Sequence, residues 1–214
     1  MARLRKAAKI WRRPESQSAA DAALVGQQSH VFTIDPETIF GSAAPLEVEL
    51  GAGKGEFIIA RAAENPSRNF LAVELSAIVS RMLAVRCGHA GLSNLRTVRM
   101  DARTLVNLML EPQSVSTYHI YFPDPWPKGR HHKHRLFTPW LVASLHRTLA
   151  PDGMLYVATD VADYGRNIFA LLDAAGWTLT GEPVPGCDRT GFGRKFAAGG
   201  KPVHARAYRK NADF

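Results

Sequence analysis

The chain has 214 residues, 46% hydrophobic and 21% charged, which is enough to bury a sizeable core in a single domain. Its two cysteines, Cys87 and Cys187, are far apart and match no metal-ligand spacing, so they read as free thiols of a reducing compartment; no apolar run is long enough to span a bilayer. The formal charge of +8 is unevenly placed: residues 1–13 hold six Lys/Arg, 128–135 four and 189–210 seven, with no acid among them, leaving ten Lys/Arg against all nineteen Asp/Glu. A single charged run is usually a solvated face. Three such runs, one of them internal and braced by prolines, read instead as a polyanion-binding surface.

In chain order, residues 1–40 are basic, then Ala/Ser/Gln-rich, without strand or helix periodicity, and are expected to form a flexible N-terminal arm. The start, MARLRKAAKIWRRPES, lacks the apolar core of a secretory signal, and the acids Glu15 and Asp21 disfavour a mitochondrial presequence; a cytoplasmic protein is expected. A domain covering 41–214 follows. LEVEL (46–50), FLAVEL (70–75), LRTVRM (95–100), TYHIYF (117–122) and MLYVAT (154–159) are strand-like, and the amphipathic stretches 54–64, 77–89, 102–110, 138–149 and 163–175 alternate with them. Residues 150–153, APDG, predict a tight turn into the fifth strand. Residues 177–180 and 203–208 close the sheet, the second as a basic tail strand. Five β–α alternations predict an α/β fold with a mostly parallel, doubly wound sheet.

Between the first strand and helix, VELGAGKGEF places Gly51, Gly53 and Gly55 where backbone can approach a ligand closely. The spacing is neither a dinucleotide fingerprint nor a phosphate loop, because Lys54 is not followed by Ser or Thr. Acids stand near the ends of the first three strands: Glu49, Glu74 and, before Ala102, Asp101. Glu74 can accept from ribose hydroxyls and Asp101 from an adenine amino group, while Glu49 would repel a pyrophosphate. The trio therefore suits a cationic adenosyl ligand, S-adenosylmethionine, better than NAD. Each acid taken singly is equally an ordinary helix N-terminal residue.

The fourth strand runs into YFPDPWPKGRHHKHRLF, where Pro123, Pro125 and Pro127 forbid a helix and interrupt any strand. Such a stiff loop holds Asp124 in place, with a basic run mounted beside it. Asp124 is otherwise a turn residue bonding its own backbone, and Trp126 either stacks on a base or packs in the core. His131, His132 and His134 lack a nearby carboxylate or cysteine, so no metal site is expected and phosphate contact is favoured.

These residues together resemble the bacterial tRNA (guanine-N7)-methyltransferases. The likeness is carried by VELGAGKGEF, AVEL with Glu74, MDA at 100–102, FPDPWPKGRHHKHR, ATD at 158–160 and the tail TGFGRKFAAGG, from about residue 30 onward. It implies a Rossmann-like class I methyltransferase with S-adenosylmethionine as donor and a guanine of the tRNA variable loop as target. By matching position, Glu49, Glu74, Asp101 and Asp124 would contact the donor, and Lys128, Asp160 and the tail around Thr190 and Phe192 the tRNA. Arg130, Lys133 and Arg135 would hold phosphates. Asp124 would be catalytic, orienting the guanine through its N1 and N2 hydrogens. Asp160 is equally read as the N-cap of the following helix. The family tail has a glutamate where this chain has Gly193, and restoring it is expected to leave activity unchanged or raised. Alternatives are a methyltransferase for another RNA or a small molecule, and a non-catalytic RNA-binding module. Nothing in the sequence sets an oligomeric state.

Overall fold

The computed structural model describes residues 33–211 together with Ser18, Ala20, Ala23 and Leu24; the basic segment 1–13 lies outside the described residues. Part of the expected arm packs on the domain. Ile34 is buried, donates its N–H to Met109 O at 2.5 Å and bridges Leu110, and Asp35 caps a short helix α1 (Pro36–Phe40).

Strands β1 (Leu46–Leu50), β2 (Asn69–Glu74), β3 (Leu95–Arg99), β4 (Val115–Tyr121), β5 (Leu149–Thr159), β6 (Thr178–Thr180) and β7 (His204–Arg209) form one sheet in the order 3-2-1-4-5-7-6. The first five are parallel; β7 runs antiparallel between β5 and β6. The helices are α2 (Glu56–Glu64), α3 (Ala77–Ala90), α4 (Ala102–Thr104), α5 (Pro139–Thr148), α6 (Ala162–Ala174) and α7 (Gly191–Ala198).

Two elements depart from the expectation. The helix expected over 102–110 keeps α geometry only to Thr104 and continues as a π turn, Leu105–Met109, closed by Leu110 N–H to Leu105 O at 3.2 Å. Arg147 gathers the freed carbonyls of Val106, Asn107 and Leu110 at 3.0–3.2 Å, which satisfies that end without a regular last turn. The turn at 150–153 is an outpocketing within β5: Val115 pairs with Leu149 but Thr117 already pairs with Met154. Gly153 is needed there, since a Cβ would lie 2.9 Å from Ala150 O and 2.5 Å from the Leu149 side chain.

The sheet is covered on both sides, so its central strands are buried on both faces. Leu46, Val48 and Leu50 join Tyr118, Ile120, Leu155 and Val157 in an apolar layer. The opposite face of the same strands packs on Phe57 and Ile58 of α2, and it is polar in its middle: Glu47, Glu49 and His119 are buried there beside Tyr121 and Tyr156. No helix among the described residues is long and apolar enough to cross a membrane.

Glu47, fully buried, is the centre of that polar layer. Its carboxylate accepts from Arg61 at 3.1 and 3.3 Å and from His119 Nε2 at 2.9 Å, with Arg68 at 3.3 Å. Burial pushes its pKa up, but the hydrogen bonds and charges of His119 and Arg61 outweigh burial and hold it at about 2. A carboxyl depressed from 4.5 contributes stability above that pH and loses it as pH falls toward about 2. Glu47→Gln is expected to cost about 3 kcal/mol near neutral pH, the usual penalty for breaking a buried ion pair. Denaturant unfolding across the acid range checks it: the gap to wild type should close between 4.5 and about 2. A gap independent of pH would mean that Glu47 is not held ionised.

Candidate active site

The order of strands reverses between β1 and β4, and a cleft of about 520 Å³ opens at their carboxyl ends, within the range of small-molecule sites. One wall begins with the turn after β1. Gly51, Gly53 and Gly55 all have positive φ (85°, 56° and 75°), which no side chain adopts without strain. Gly51 and Gly53 line the cleft, and the positions their Cβ atoms would take meet nothing within 4 Å, so the backbone itself is presented. Gly55 does not line it; it caps α2 from below, where a Cβ would lie 2.5 Å from Leu83. The turn is pinned to β2 by Gly51 and Ala52 N–H groups, both donating to Val73 O at 2.9 Å.

Glu74 and Asp101 stand in the same wall, and both have local partners. Glu74 accepts the Gly53 N–H at 3.1 Å through Oε2 and the Ser76 N–H at 2.8 Å through Oε1. Asp101 caps α4 and holds Arg103 at 2.7 Å, an interaction that lowers its pKa; Ala102 and Arg103 complete this corner with Met100. Glu49 does not line the cleft. It is buried beside it, supported by the Ile58 N–H, and its Oε2 has no hydrogen-bond partner among the described residues. Burial, then the charges of Glu56 and Glu74, push its pKa well above the carboxylate range.

The other wall is the proline loop: Tyr121, Phe122, Pro123, Asp124 and Trp126, with His134, Leu136 and Phe192. Asp124 is exposed to the cleft and makes no hydrogen bond or ion pair among the described residues, so the self-bonded turn is not what forms. Phe122 and Trp126 carry φ of 53° and 41°, strained values for residues with side chains. Trp126 lies against His131 and His134, with ring centroids 5.7 and 5.2 Å away. Among the described residues no group of three His, Cys, Asp or Glu could hold a metal ion.

The basic residues divide sharply. Residues 129–134 form an exposed 3₁₀ turn, and Lys128, Arg130 and Lys133 have no acidic partner among the described residues. Arg135 works inside the loop: its Nε donates to Pro125 O at 2.8 Å and its guanidinium lies 4.8 Å over the Tyr164 ring. In the C-terminal run, Arg189, Arg194, Lys201, Arg206 and Arg209 pair with Glu64, Glu56, Asp160, Asp173 and Glu182. That run is largely neutralised within the fold, contrary to its reading as open polyanion-binding surface. Asp160 is not an N-cap either; Val161 holds that place, and Asp160 is committed to Lys201.

Helix α7 was not anticipated from the sequence. Thr190 caps it, accepting from Gly193 N–H at 2.8 Å and donating to Cys187 O at 3.0 Å, so Thr190 presents Phe192 without itself reaching the cleft. The available signal was a Thr cap followed by Phe192 and Phe196 four residues apart, obscured by the glycines at 191 and 193.

Strand order, glycine turn and cleft define the fold of the class I S-adenosylmethionine-dependent methyltransferases. The solved 16S rRNA methyltransferase KamB superposes with a TM-score of 0.60 at 19% identity, over 88% of this chain and 99% of that one. A family profile described as "Putative methyltransferase" matches residues 43–203. A tRNA (guanine-N(7)-)-methyltransferase of Halorhodospira halophila is 37% identical over 84% of this chain and 81% of the relative. One from Leifsonia xyli is 44% identical over 66% of this chain, spanning 62% of that relative's length. The chain belongs to the tRNA (guanine-N(7)-)-methyltransferase family.

The structure overturns one expectation drawn from that family. A Cβ at Gly193 would lie 2.0 Å from Cys187 O and 2.8 Å from Asp188 Cα, so a glutamate there has no room. Gly193→Ala and Gly193→Glu are both expected to destabilise the chain by about 1–3 kcal/mol, the range for overpacking. Urea unfolding checks this, and an unchanged midpoint for Gly193→Ala would show that the Cys187–Arg189 turn gives way freely.

Proposed function

We propose that the chain transfers the methyl group of S-adenosylmethionine to N7 of a guanine in the tRNA variable loop, acting in the cytoplasm. The observation that carries this reading is the two-sided cleft. One wall offers bare glycine backbone and carboxylates; the other offers Asp124, unbonded among the described residues, beside Phe122, Trp126 and the exposed Phe192, next to a basic turn without acidic partners among the described residues. The names of the relatives support the same reading.

The residues fit a cationic adenosyl donor. Gly51 and Gly53 leave open the space that a side chain would fill. Glu74 and Asp101 keep lone pairs beyond their local bonds for ribose hydroxyls and an adenine amino group. Buried Glu49 has an orphaned oxygen and a raised pKa, a group that a nearby cation would ionise and satisfy. S-adenosylmethionine supplies an electrophilic methyl group on a sulfonium.

Guanine N7 already bears a free lone pair, so no side chain has to remove a proton before attack. The protein's part is placement and electrostatic support. Asp124 accepts from the guanine N1 and N2 hydrogens and offsets the positive charge that develops on the imidazole ring. Phe192, more than half exposed at the cleft mouth, offers a stacking surface. Lys128, Arg130 and Lys133 hold phosphates. Asp160 meets the RNA as half of a pair with Lys201.

Incubation with unmodified tRNA and donor, followed by borohydride/aniline cleavage, maps N7 methylation directly; absence of cleavage in the variable loop would reject the reading. Asp124→Asn is expected to lower single-turnover methylation about a hundredfold, the scale of losing one preorganised electrostatic group, with donor affinity nearly unchanged. Near-normal turnover would remove Asp124 from the chemistry.

The basic turn makes a separate prediction. Changing Lys128, Arg130 and Lys133 together to Ala should weaken tRNA binding and reduce the log–log salt slope by about 2, at roughly 0.7–0.9 per phosphate contact. Arg135 is left intact because it braces the loop. Lost affinity with an unchanged slope would indicate loop damage instead of lost phosphate contacts.

A further inference from the structure

The polar layer under α2 leads from Glu47 to the cleft mouth. His119 has Nε2 2.9 Å from Glu47 Oε2 and Nδ1 2.9 Å from the Tyr121 hydroxyl, and that hydroxyl donates to Pro185 O at 2.8 Å. His119 is fully buried, stacked on Tyr156 and tilted against Phe57. Phe57 in turn packs on Tyr121 at 5.0 Å and sits where a Cβ of Gly186 would go, 2.8 Å away. Pro185 and Gly186 are the last residues before the Cys187–Arg189 turn, and that turn supports Thr190 and α7, which carries Phe192. The phenol is thus the polar tie between the end of β4, which leads into the Asp124 loop, and the start of the segment that closes the cleft.

Proton counting shows what governs the tie. Glu47 is ionised and can only accept, so Nε2 carries a proton. Tyr121 has one proton. Given to Pro185 O, it leaves the phenol oxygen to accept a proton from Nδ1, and the imidazole carries two. Given to an unprotonated Nδ1, it leaves Pro185 O without a donor.

We propose that Tyr121 is a positioning residue whose hydroxyl clasps Pro185 and holds the tail at the cleft mouth, and that His119 controls the clasp through the proton on Nδ1. Burial opposes the doubly protonated ring and lowers the His119 pKa, while Glu47 favours that ring and Arg61 opposes it. The clasp therefore closes as pH falls and opens as it rises. The other groups facing this layer are Arg68 at Glu47, Glu49 and Cys187 at Tyr121, and Tyr156, whose hydroxyl turns to Glu182. The consequence for tRNA rests on the function proposed above, but the clasp itself does not.

Tyr121→Phe removes only the hydroxyl. Amide hydrogen exchange over 186–193, corrected for intrinsic rates, should be about tenfold faster than wild type at about pH 4.5, on the acid side of the ordinary imidazole range because the His119 pKa is lowered, and differ little at about pH 8, as expected for one buried hydrogen bond gated by a histidine. The Michaelis constant for tRNA should rise by a similar factor at the lower pH and by much less at about pH 8. Equal exchange at the lower pH, or an effect confined to donor affinity, overturns the proposal. If wild type methylates no tRNA, the functional reading falls while the exchange comparison still decides the clasp. Should Tyr121→Phe fail to fold, the ring-nitrogen shifts of His119 in wild type serve instead: two protonated nitrogens at the lower pH support the clasp, and one overturns it.

Discussion

The reversal of strand order between β1 and β4 is the constraint on which the rest depends. Neighbouring parallel strands whose chains leave in opposite directions cannot close over their shared carboxyl end. The gap collects whatever the first residues after each strand happen to be: the glycine turn after β1, Glu74 at the end of β2, Asp101 after β3, and the proline loop after β4. Side chains separated by tens of residues meet there because the sheet register aligns Glu49 with Ala72 and His119, and Glu74 with Arg99. The chemistry of the cleft follows from that alignment, and the helices mainly hold the sheet in place.

Charge is used in two distinct ways on the same molecule. The C-terminal basic residues are drawn inward to acids on the domain surface, where exposed pairs contribute little stability each but orient the tail around the cleft. The turn at 129–134 keeps its cations exposed and without acidic partners among the described residues. Sequence alone shows these two acid-free runs, of the three in the chain, as alike. The difference between them lies in partners supplied from distant strands and helices, which composition cannot reveal.

The strands and most helices were legible for a physical reason: a central parallel strand is buried on both faces and reads as a continuous apolar run. The cleft residues were legible because turn glycines and strand-end acids fall at fixed offsets from those runs. Glu47 was not. It sits inside LEVEL as one more charged residue, and its meaning depends on His119, 72 positions away, and on Arg61 and Arg68 from the next helix and turn. Helix α7 was hidden by low-propensity glycines, one of which is required by the Cys187 carbonyl at its back. The sequence likeness that placed a glutamate at 193 carried no information about that carbonyl.

The proline loop shows how an acid is kept free. Phe122 and Trp126 each precede a proline, which already restricts their backbone, and each is held at positive φ, at a cost of about 1–3 kcal/mol apiece. Such strain persists only if the surroundings fix it. Phe122 donates its N–H to Ala158 O at 2.7 Å and packs its ring on Phe196 and Phe192; Trp126 lies against two histidines; Arg135 bonds Pro125 O. Every one of these contacts holds a neighbour of Asp124, and none engages its carboxylate. An acid positioned by its neighbours' bonds keeps its own acceptors for a ligand. It needs little reordering when one arrives, so the loop's strain is set by the fold before substrate enters the cleft.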